Sequence, residues 1–229
     1  MTVSLITGAN RGIGFETARQ LLALGHTVWI GARDAERGEK AAAELGARFV
    51  QLDVTDDASV SEALETIGRI EGALDVLVNN AGVMATGTPD GPSALRSFDT
   101  NAVGIVRVIE AALPWLRRSA SPAVVSITSS MGSFWAVTSL ERPESAITTA
   151  PLYAASKAAA TMLTVQYAKA HPDIRFYAVE PGFTATDMTA DMGGGRPVED
   201  SAAVVARLAT LGPEDPSGTF TDENGVLPW

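Results

Sequence analysis

The 229-residue chain contains no cysteine, which excludes disulfides, thiolate catalysis and cysteine-ligated metals. Histidine is scarce: His26 and His171 are the only two. Each falls at the end of an expected helix, away from any motif, and both are read as structural or solvated. Positive charge is also in short supply, with 17 Lys and Arg against 27 Asp and Glu and a formal net charge of −10. Such a surface repels a phosphate backbone, which argues against a nucleic-acid partner. No apolar run approaches the roughly 20 residues that span a bilayer. A basic start followed by an apolar block and a cleavage site is missing as well. Together these absences predict a cytoplasmic protein with neither a membrane partner nor a metal. No repeat or linker divides the chain, so residues 1–229 are expected to form a single domain.

What is present is an alternation. Val3–Thr7, Thr27–Ile30, Arg48–Leu52, Leu74–Val78, Ala123–Ile127 and Ile174–Val179 read as apolar strands. Between them Gly12–Leu24, Asp34–Leu45, Ser59–Ile70, Ser97–Leu116 and Tyr153–Ala170 read as helices, with Asp34 an N-cap and Gly46 a C-cap. Strands alternating with helices imply crossovers and an α/β fold: a Rossmann-type, doubly wound parallel sheet with helices on both faces. Two irregular stretches, Ser133–Pro151 and Phe183–Pro197, follow expected strands. In an open α/β sheet ligands bind at that end.

Thr7-Gly8-Ala9-Asn10-Arg11-Gly12-Ile13-Gly14 joins the first strand to the first helix. Glycine lets backbone approach a pyrophosphate, and a helix N-terminus offers free N–H groups and a positive dipole end. A tight strand-to-helix connection would use the same glycines, so the turn alone does not decide. Arg11 sits where a cation opposes the helix dipole, a conflict that a bound anion would reverse. Arg33 follows the second strand, where an acid would hold a ribose 2′-hydroxyl and an arginine accommodates a 2′-phosphate. The two arginines favour NADP(H) over NAD(H).

Tyr153 and Lys157 stand four apart at the start of an expected helix, so phenol and ammonium share a face. A nearby cation lowers a phenol pKa, and such a tyrosine can give a proton to a carbonyl oxygen or take one from an alcohol. An ordinary half-exposed helix face also carries Tyr and Lys at this spacing.

The pieces Thr7-Gly8-(x3)-Gly12-Ile13-Gly14, Asp53, Asn79-Asn80-Ala81-Gly82, Asn101, Ser129, Tyr153-(x3)-Lys157, Pro181-Gly182 and Thr186 occur in this order over nearly the whole chain. As an ordered set they resemble the short-chain dehydrogenase/reductase family. The resemblance implies a nicotinamide cofactor, with Gly8, Asn10, Arg11, Gly12, Ile13 and Gly14 at its pyrophosphate. It further places Asp53 and Val54 near the adenine, Asn80, Ala81 and Gly82 along the cleft, and Pro181, Gly182, Thr184 and Thr186 at the nicotinamide end. It maps a catalytic tetrad onto Asn101, Ser129, Tyr153 and Lys157. Ser129 would hydrogen-bond the substrate oxygen, Tyr153 would be the general acid or base, Lys157 would lower its pKa and bind the nicotinamide ribose, and Asn101 would hold a relay water. Ser130 adjoins Ser129, but Ser129 lies three before Gly132 and fits the pattern better. The long Ser129–Tyr153 spacing and the Leu227-Pro228-Trp229 tail resemble carbonyl-reductase-like members.

The leading expectation is therefore an NADP(H)-dependent carbonyl reductase or alcohol dehydrogenase. A catalytically silent dinucleotide sensor and an isomerase or dehydratase on the same scaffold are the alternatives. The substrate-covering segments are taken as residues 133–151, carrying Phe134, Trp135, Val137 and Leu140, and 183–197, carrying Phe183, Met188 and Met192. Apolar, adaptable side chains suit a small carbonyl or alcohol with a hydrophobic body, and Gly193-Gly194-Gly195 would give a lid its freedom. Ala158, Ala159 and Ala160, read as an outer helix face, lean toward a homodimer; covering of that face by the preceding insertion would leave a monomer.

Overall fold

The computed structural model describes residues 1–85 and 88–229. Its strands are β1 (Val3–Thr7), β2 (Thr27–Ala32), β3 (Arg48–Gln51), β4 (Val76–Asn79), β5 (Ala123–Ile127), β6 (Arg175–Val179), β7 (Thr219–Asp222) and β8 (Gly225–Val226). The α-helices are α1 (Gly12–Ala23), α2 (Ala35–Leu45), α3 (Asp57–Glu71), α4 (Gly91–Phe98), α5 (Gly104–Leu116), α6 (Phe134–Thr138), α7 (Pro151–Ala170) and α8 (Val198–Ala209).

The strands make one sheet in the order β3-β2-β1-β4-β5-β6-β7-β8, parallel throughout except for the antiparallel β7–β8 edge. Because side chains alternate across a strand, each strand feeds two cores. Leu5, Trp29, Leu77, Val124 and Phe176 join one cluster with α3, α5 and α7. Ile6, Val28, Ile30, Val78, Val125 and Tyr177 join the other with α1, α2 and α8. Both faces are therefore covered, as continuous apolar strands demand. The strand order reverses between β1 and β4, and this opens a crevice at their carboxyl ends.

Local chemistry sets the helix ends. Asp34 caps α2 by accepting the Arg37 N–H (3.0 Å), and Gly46 closes it in the left-handed region. Asp56 and Asp90 cap α3 and α4 in the same way. One helix expected over Ser97–Leu116 is instead α4, a π-helical turn over Asp99–Val103, and α5. The widened turn carries Asn101 and is braced by Arg107, which pairs with both Asp99 (2.8 Å) and Asp57 (2.9 Å). The alanine face also differs from expectation. Three consecutive helical residues point in three directions, and Ala160 is fully buried in the core beside α5.

α8 and the β7–β8 hairpin were not anticipated. The hairpin adds a small cluster of Ala178, Phe220 and Leu227, on which the Trp229 ring stacks against Phe220. The tail then holds the loop after β5: Ser133 Oγ donates to the Pro228 carbonyl (2.8 Å) and the Trp135 N–H to the Trp229 carbonyl (3.0 Å). His26 meets Ser4 Oγ (2.8 Å), and His171 stacks on Tyr167. Among the described residues no helix is long and apolar enough to cross a membrane.

Candidate active site

A cleft of about 1310 Å³ runs along the carboxyl ends of the strands. One end begins at the β1–α1 turn. Gly8 has φ +63°, and a Cβ there would lie 2.9 Å from the Ala81 Cα. Only glycine permits this backbone and this approach. Arg11 at the N-cap of α1 makes no side-chain cap, so the first-turn N–H groups stay available beside Gly8, Asn10, Gly12 and Ile13, which all line the cleft. Gly14 lies behind them, packed on Asn80. Asn80 Nδ2 donates to the carbonyls of Thr7 (2.8 Å) and Gly8 (3.0 Å), tying the turn to the end of β4. Ala81 and Gly82 continue the wall.

A recess of about 170 Å³ at this end is lined by Asn10, Arg11, Arg33, Asp34 and Arg37. Arg37 was not singled out in the sequence, although it stands one helical turn after Arg33. Arg11 is paired with Asp187 (2.6 Å) and Arg37 with Asp34 (3.5 Å). Among the described residues Arg33 has no carboxylate partner. Asp53 and Val54 line the adjoining wall, and the Asp53 carboxylate is fixed by the Thr55 N–H (2.9 Å) and hydroxyl (2.7 Å).

At the other end Ser129, Tyr153 and Lys157 converge. Lys157 is buried, and its Nζ donates to the Ile127 carbonyl (2.7 Å). Burial pushes the ammonium down to about 8, opposed by the charge of Glu180. Burial, and then Glu180, push the Tyr153 phenol up to about 12, with the Ser129 hydroxyl acting the other way. Here burial and Glu180 outweigh any lowering of the phenol by Lys157. The ammonium is turned to the Ile127 carbonyl, and its Nζ sits 5.7 Å from the centre of the Tyr153 ring.

Asn101 lies one layer behind the cleft. Its amide accepts the Val83 N–H (2.8 Å) and donates to the Val83 carbonyl (2.8 Å) and Ser156 Oγ (2.9 Å). Ser156 in turn donates to the Tyr153 carbonyl (2.8 Å). Asn101 thus braces the start of α7 against the wall after β4. Of the two serines, Ser129 has its hydroxyl beside Tyr153 and accepts the Met131 N–H (3.2 Å). Ser130 is turned toward carboxylates, its N–H donating to Glu180 and its hydroxyl adjoining Glu144.

The covering segments differ in part from expectation. Phe183, Met188 and Met192 line the cleft, as do Pro181, Gly182, Thr184 and Thr186. Phe134 does not: it is 76% exposed, because the short α6 buries Ala136 and leaves Phe134 in solvent. Met131, Ile147 and Ala150 take that side of the cleft. Gly193, Gly194 and Gly195 all have positive φ, and a Cβ on Gly195 would meet the Ala185 N at 2.6 Å. Left-handed backbone at all three positions is what calls for glycine there.

The chain matches the family model described as short chain dehydrogenase over residues 2–196. It belongs to the short-chain dehydrogenases. A relative from Stachybotrys chlorohalonatus, "Short-chain dehydrogenase/reductase ATR10", is 34% identical over 262 aligned residues, covering 99% of this chain and 94% of the relative. The (+)-neomenthol dehydrogenase of Arabidopsis thaliana is 34% identical, covering 97% and 96%. Among solved structures, the Pseudomonas aeruginosa RhlG/NADP active-site complex superposes with a TM-score of 0.86 at 27% identity, covering 97% of this chain and 94% of that one.

Besides Arg37, reading the sequence of this short-chain dehydrogenase overlooked Glu180, Arg142 and Glu144, which all line the cleft. Glu180 was legible in principle: a carboxylate that ends an apolar strand, directly before Pro181-Gly182, is out of place unless a site uses it. Arg142 and Glu144, paired at 2.8 and 3.1 Å, lie in the insertion before α7, where no periodicity marks them.

Proposed function

We propose that this short-chain dehydrogenase is an NADP(H)-dependent carbonyl reductase or alcohol dehydrogenase acting on a small molecule with a hydrophobic body. The observation that carries the reading is the convergence of Tyr153, Ser129 and the buried Lys157 at one end of a cleft whose other end gathers Arg11, Arg33 and Arg37. The residues present fit a dinucleotide. A Cβ at Gly8 would fill the pyrophosphate cradle, α1 starts without a side-chain cap, and among the described residues Lys157 has one protein acceptor for its three donors. The recess with three arginines suits a 2′-phosphate, which favours NADP(H) over NAD(H).

When bound, the nicotinamide supplies or accepts the hydride. Tyr153 gives its phenolic proton to the substrate oxygen in reduction and takes it back in oxidation. A phenol held at about 12 is protonated at neutral pH, the form that reduction needs. Ser129 offers its hydroxyl to the same oxygen, and Lys157 directs its spare donors to the ribose. Asn101 holds α7 in place through Val83 and Ser156. Phe183, Met188, Met192, Met131 and Ile147 would take the apolar body of the substrate. The relatives include a (+)-neomenthol dehydrogenase, and cyclic ketones belong in the first trial for that reason. The test follows NADPH and NADH absorbance against a panel of cyclic, aromatic and aliphatic carbonyls. Oxidation of NADPH by at least one ketone is expected. Tight NADPH binding with no consumption across the panel would overturn the reading and favour a silent sensor or an isomerase.

A further inference from the structure

Glu180 has no part in the proton transfer just described, yet it is a half-buried carboxylate at the centre of the site. It directly follows β6 and lines the cleft together with Ser130 and Pro181. Its Oε1 accepts the Gly182 N–H (2.7 Å), and its Oε2 accepts the Ser130 N–H. The hydroxyls of Ser130 and Ser129 adjoin the same carboxylate. One side chain therefore joins two segments from different strands: the Ser129–Ser130 turn after β5 and the Pro181–Gly182 turn after β6.

We propose that Glu180 is a positioning residue, whose carboxylate staples the Ser129 turn to the Pro181–Gly182 turn and so fixes the hydrogen-bond donor for the substrate oxygen relative to the nicotinamide end of the cleft. This rests on the functional reading above. Neither turn is held in this way by the sheet alone, because β5 and β6 pair only as far as Ile127 and Val179. Beyond those residues the Thr128 N–H still reaches the Val179 carbonyl (2.8 Å), and the next link between the two turns is Glu180. A carboxylate suits the task because it accepts from two N–H donors at once, and its charge strengthens both bonds. Small displacements at such a point weigh heavily on turnover.

The charge has a second consequence. Tyr153 and Lys157 face Glu180 from α7, and Arg142 faces it from the insertion before α7, where Arg142 also feels Glu144 and, from the end of β7, Asp222. Burial pushes the Glu180 carboxyl up, opposed by the N–H groups of Ser130 and Gly182, and in its ionised form it favours the protonated forms of both Tyr153 and Lys157. Removing it lets both lose their protons at lower pH, so the alkaline limb of carbonyl reduction moves to lower pH.

The test is Glu180→Gln, compared with Glu180→Asp, in the full chain. Glutamine keeps the volume, but it can accept from only one of the two N–H groups and turns an NH2 toward the other. Amide hydrogen exchange, read without cofactor or substrate, should speed up at Ser130 or Gly182 and stay unchanged across β1 and α1. With NADPH and the carbonyl of the panel that the wild type reduces fastest, kcat should fall on the order of 10- to 100-fold, while the KM for that carbonyl and the NADPH Kd change less than about twofold. The alkaline limb should move to lower pH in Glu180→Gln and return toward the wild type in Glu180→Asp, which restores the charge on a shorter arm. Unchanged exchange at both amides would overturn the proposal, as would an unmoved alkaline limb. Faster exchange throughout the chain would also overturn it, since Glu180 would then be a stability residue only. If Glu180→Gln does not fold, Glu180→Asp carries the same exchange test, because its shorter arm cannot span both amides. Wild-type protein that turns over no carbonyl would refute the functional reading and leave the exchange result standing.

Discussion

Replacing Lys157 with methionine should stabilise the ligand-free protein at neutral pH, and the gain should reverse in alkali. Lys157 is 5% exposed, and among the described residues its ammonium has a single protein acceptor, the Ile127 carbonyl. Burial lowers it from 10.5 to about 8, a difference worth roughly 3 kcal/mol against the folded charged form. The sign follows from proton binding. Below about pH 8 both folded and unfolded chains hold the proton, and the fold bears the whole cost. Between about 8 and 10.5 the unfolded chain still holds it and the folded one does not, so stability rises with pH; above 10.5 the cost is gone. Methionine has similar length and no charge, and it leaves the Ile127 carbonyl without its partner at a cost of about 1 kcal/mol. Lys157→Met should therefore be more stable than the wild type by about 2 kcal/mol at pH 7 and less stable by about 1 kcal/mol above pH 10.5. Urea unfolding followed by far-UV circular dichroism at several pH values measures this directly. Groups that do not feel the Lys157 charge cancel in the comparison. A stability difference that stays constant with pH, or a methionine variant that is weaker at pH 7, would refute the reasoning.

Tyr153→Phe keeps the ring and removes the transferable proton, so turnover should drop by roughly 10²–10⁴-fold while NADPH affinity measured by titration stays the same. Ser129→Ala should lower kcat for ketone reduction far more than Ser130→Ala, whose hydroxyl adjoins Glu144; the reverse order in parallel assays would reassign the serine. Arg33→Asp should weaken NADPH binding by at least about tenfold, the loss of one charge-assisted hydrogen bond to a phosphate, and leave NADH binding unchanged; equal losses for both cofactors in calorimetry would move the 2′-phosphate elsewhere.

Much of the fold was legible because each strand that carries the cleft is apolar on both faces. Val3–Thr7 and Ala123–Ile127 fall where the pattern puts them, and Asp34 and Gly46 close α2 by the chemistry that their residue types suggest. The misses have physical causes. Ser97–Leu116 keeps its helical periodicity through the π turn, so its break at Asp99 shows only once Arg107 is seen pulling Asp99 and Asp57 together. β7, Thr219-Phe220-Thr221-Asp222, lacks the apolar run that marks the earlier strands, and β8 has only two residues. Phe134 looked like a substrate contact because it is large and apolar near the tetrad, but a five-residue helix has two sides and Ala136 took the inner one. Glycine spacing and the Tyr–Lys interval point to a site in the sequence; the electrostatics of that site depend on Glu180, 23 residues beyond Lys157 in the chain, and on burial, which only the folded protein establishes.

The ion pair between Arg11 and Asp187 joins the turn at the start of α1 to the segment that covers the cleft, 176 residues away in the chain. Arg11 therefore already has an anion of its own. If the proposed cofactor binds there, its phosphate would meet an arginine that a carboxylate already occupies, and the two anions would compete for it. Both side chains are more than half exposed, so the pair exchanges readily with solvent and would yield to such a competitor.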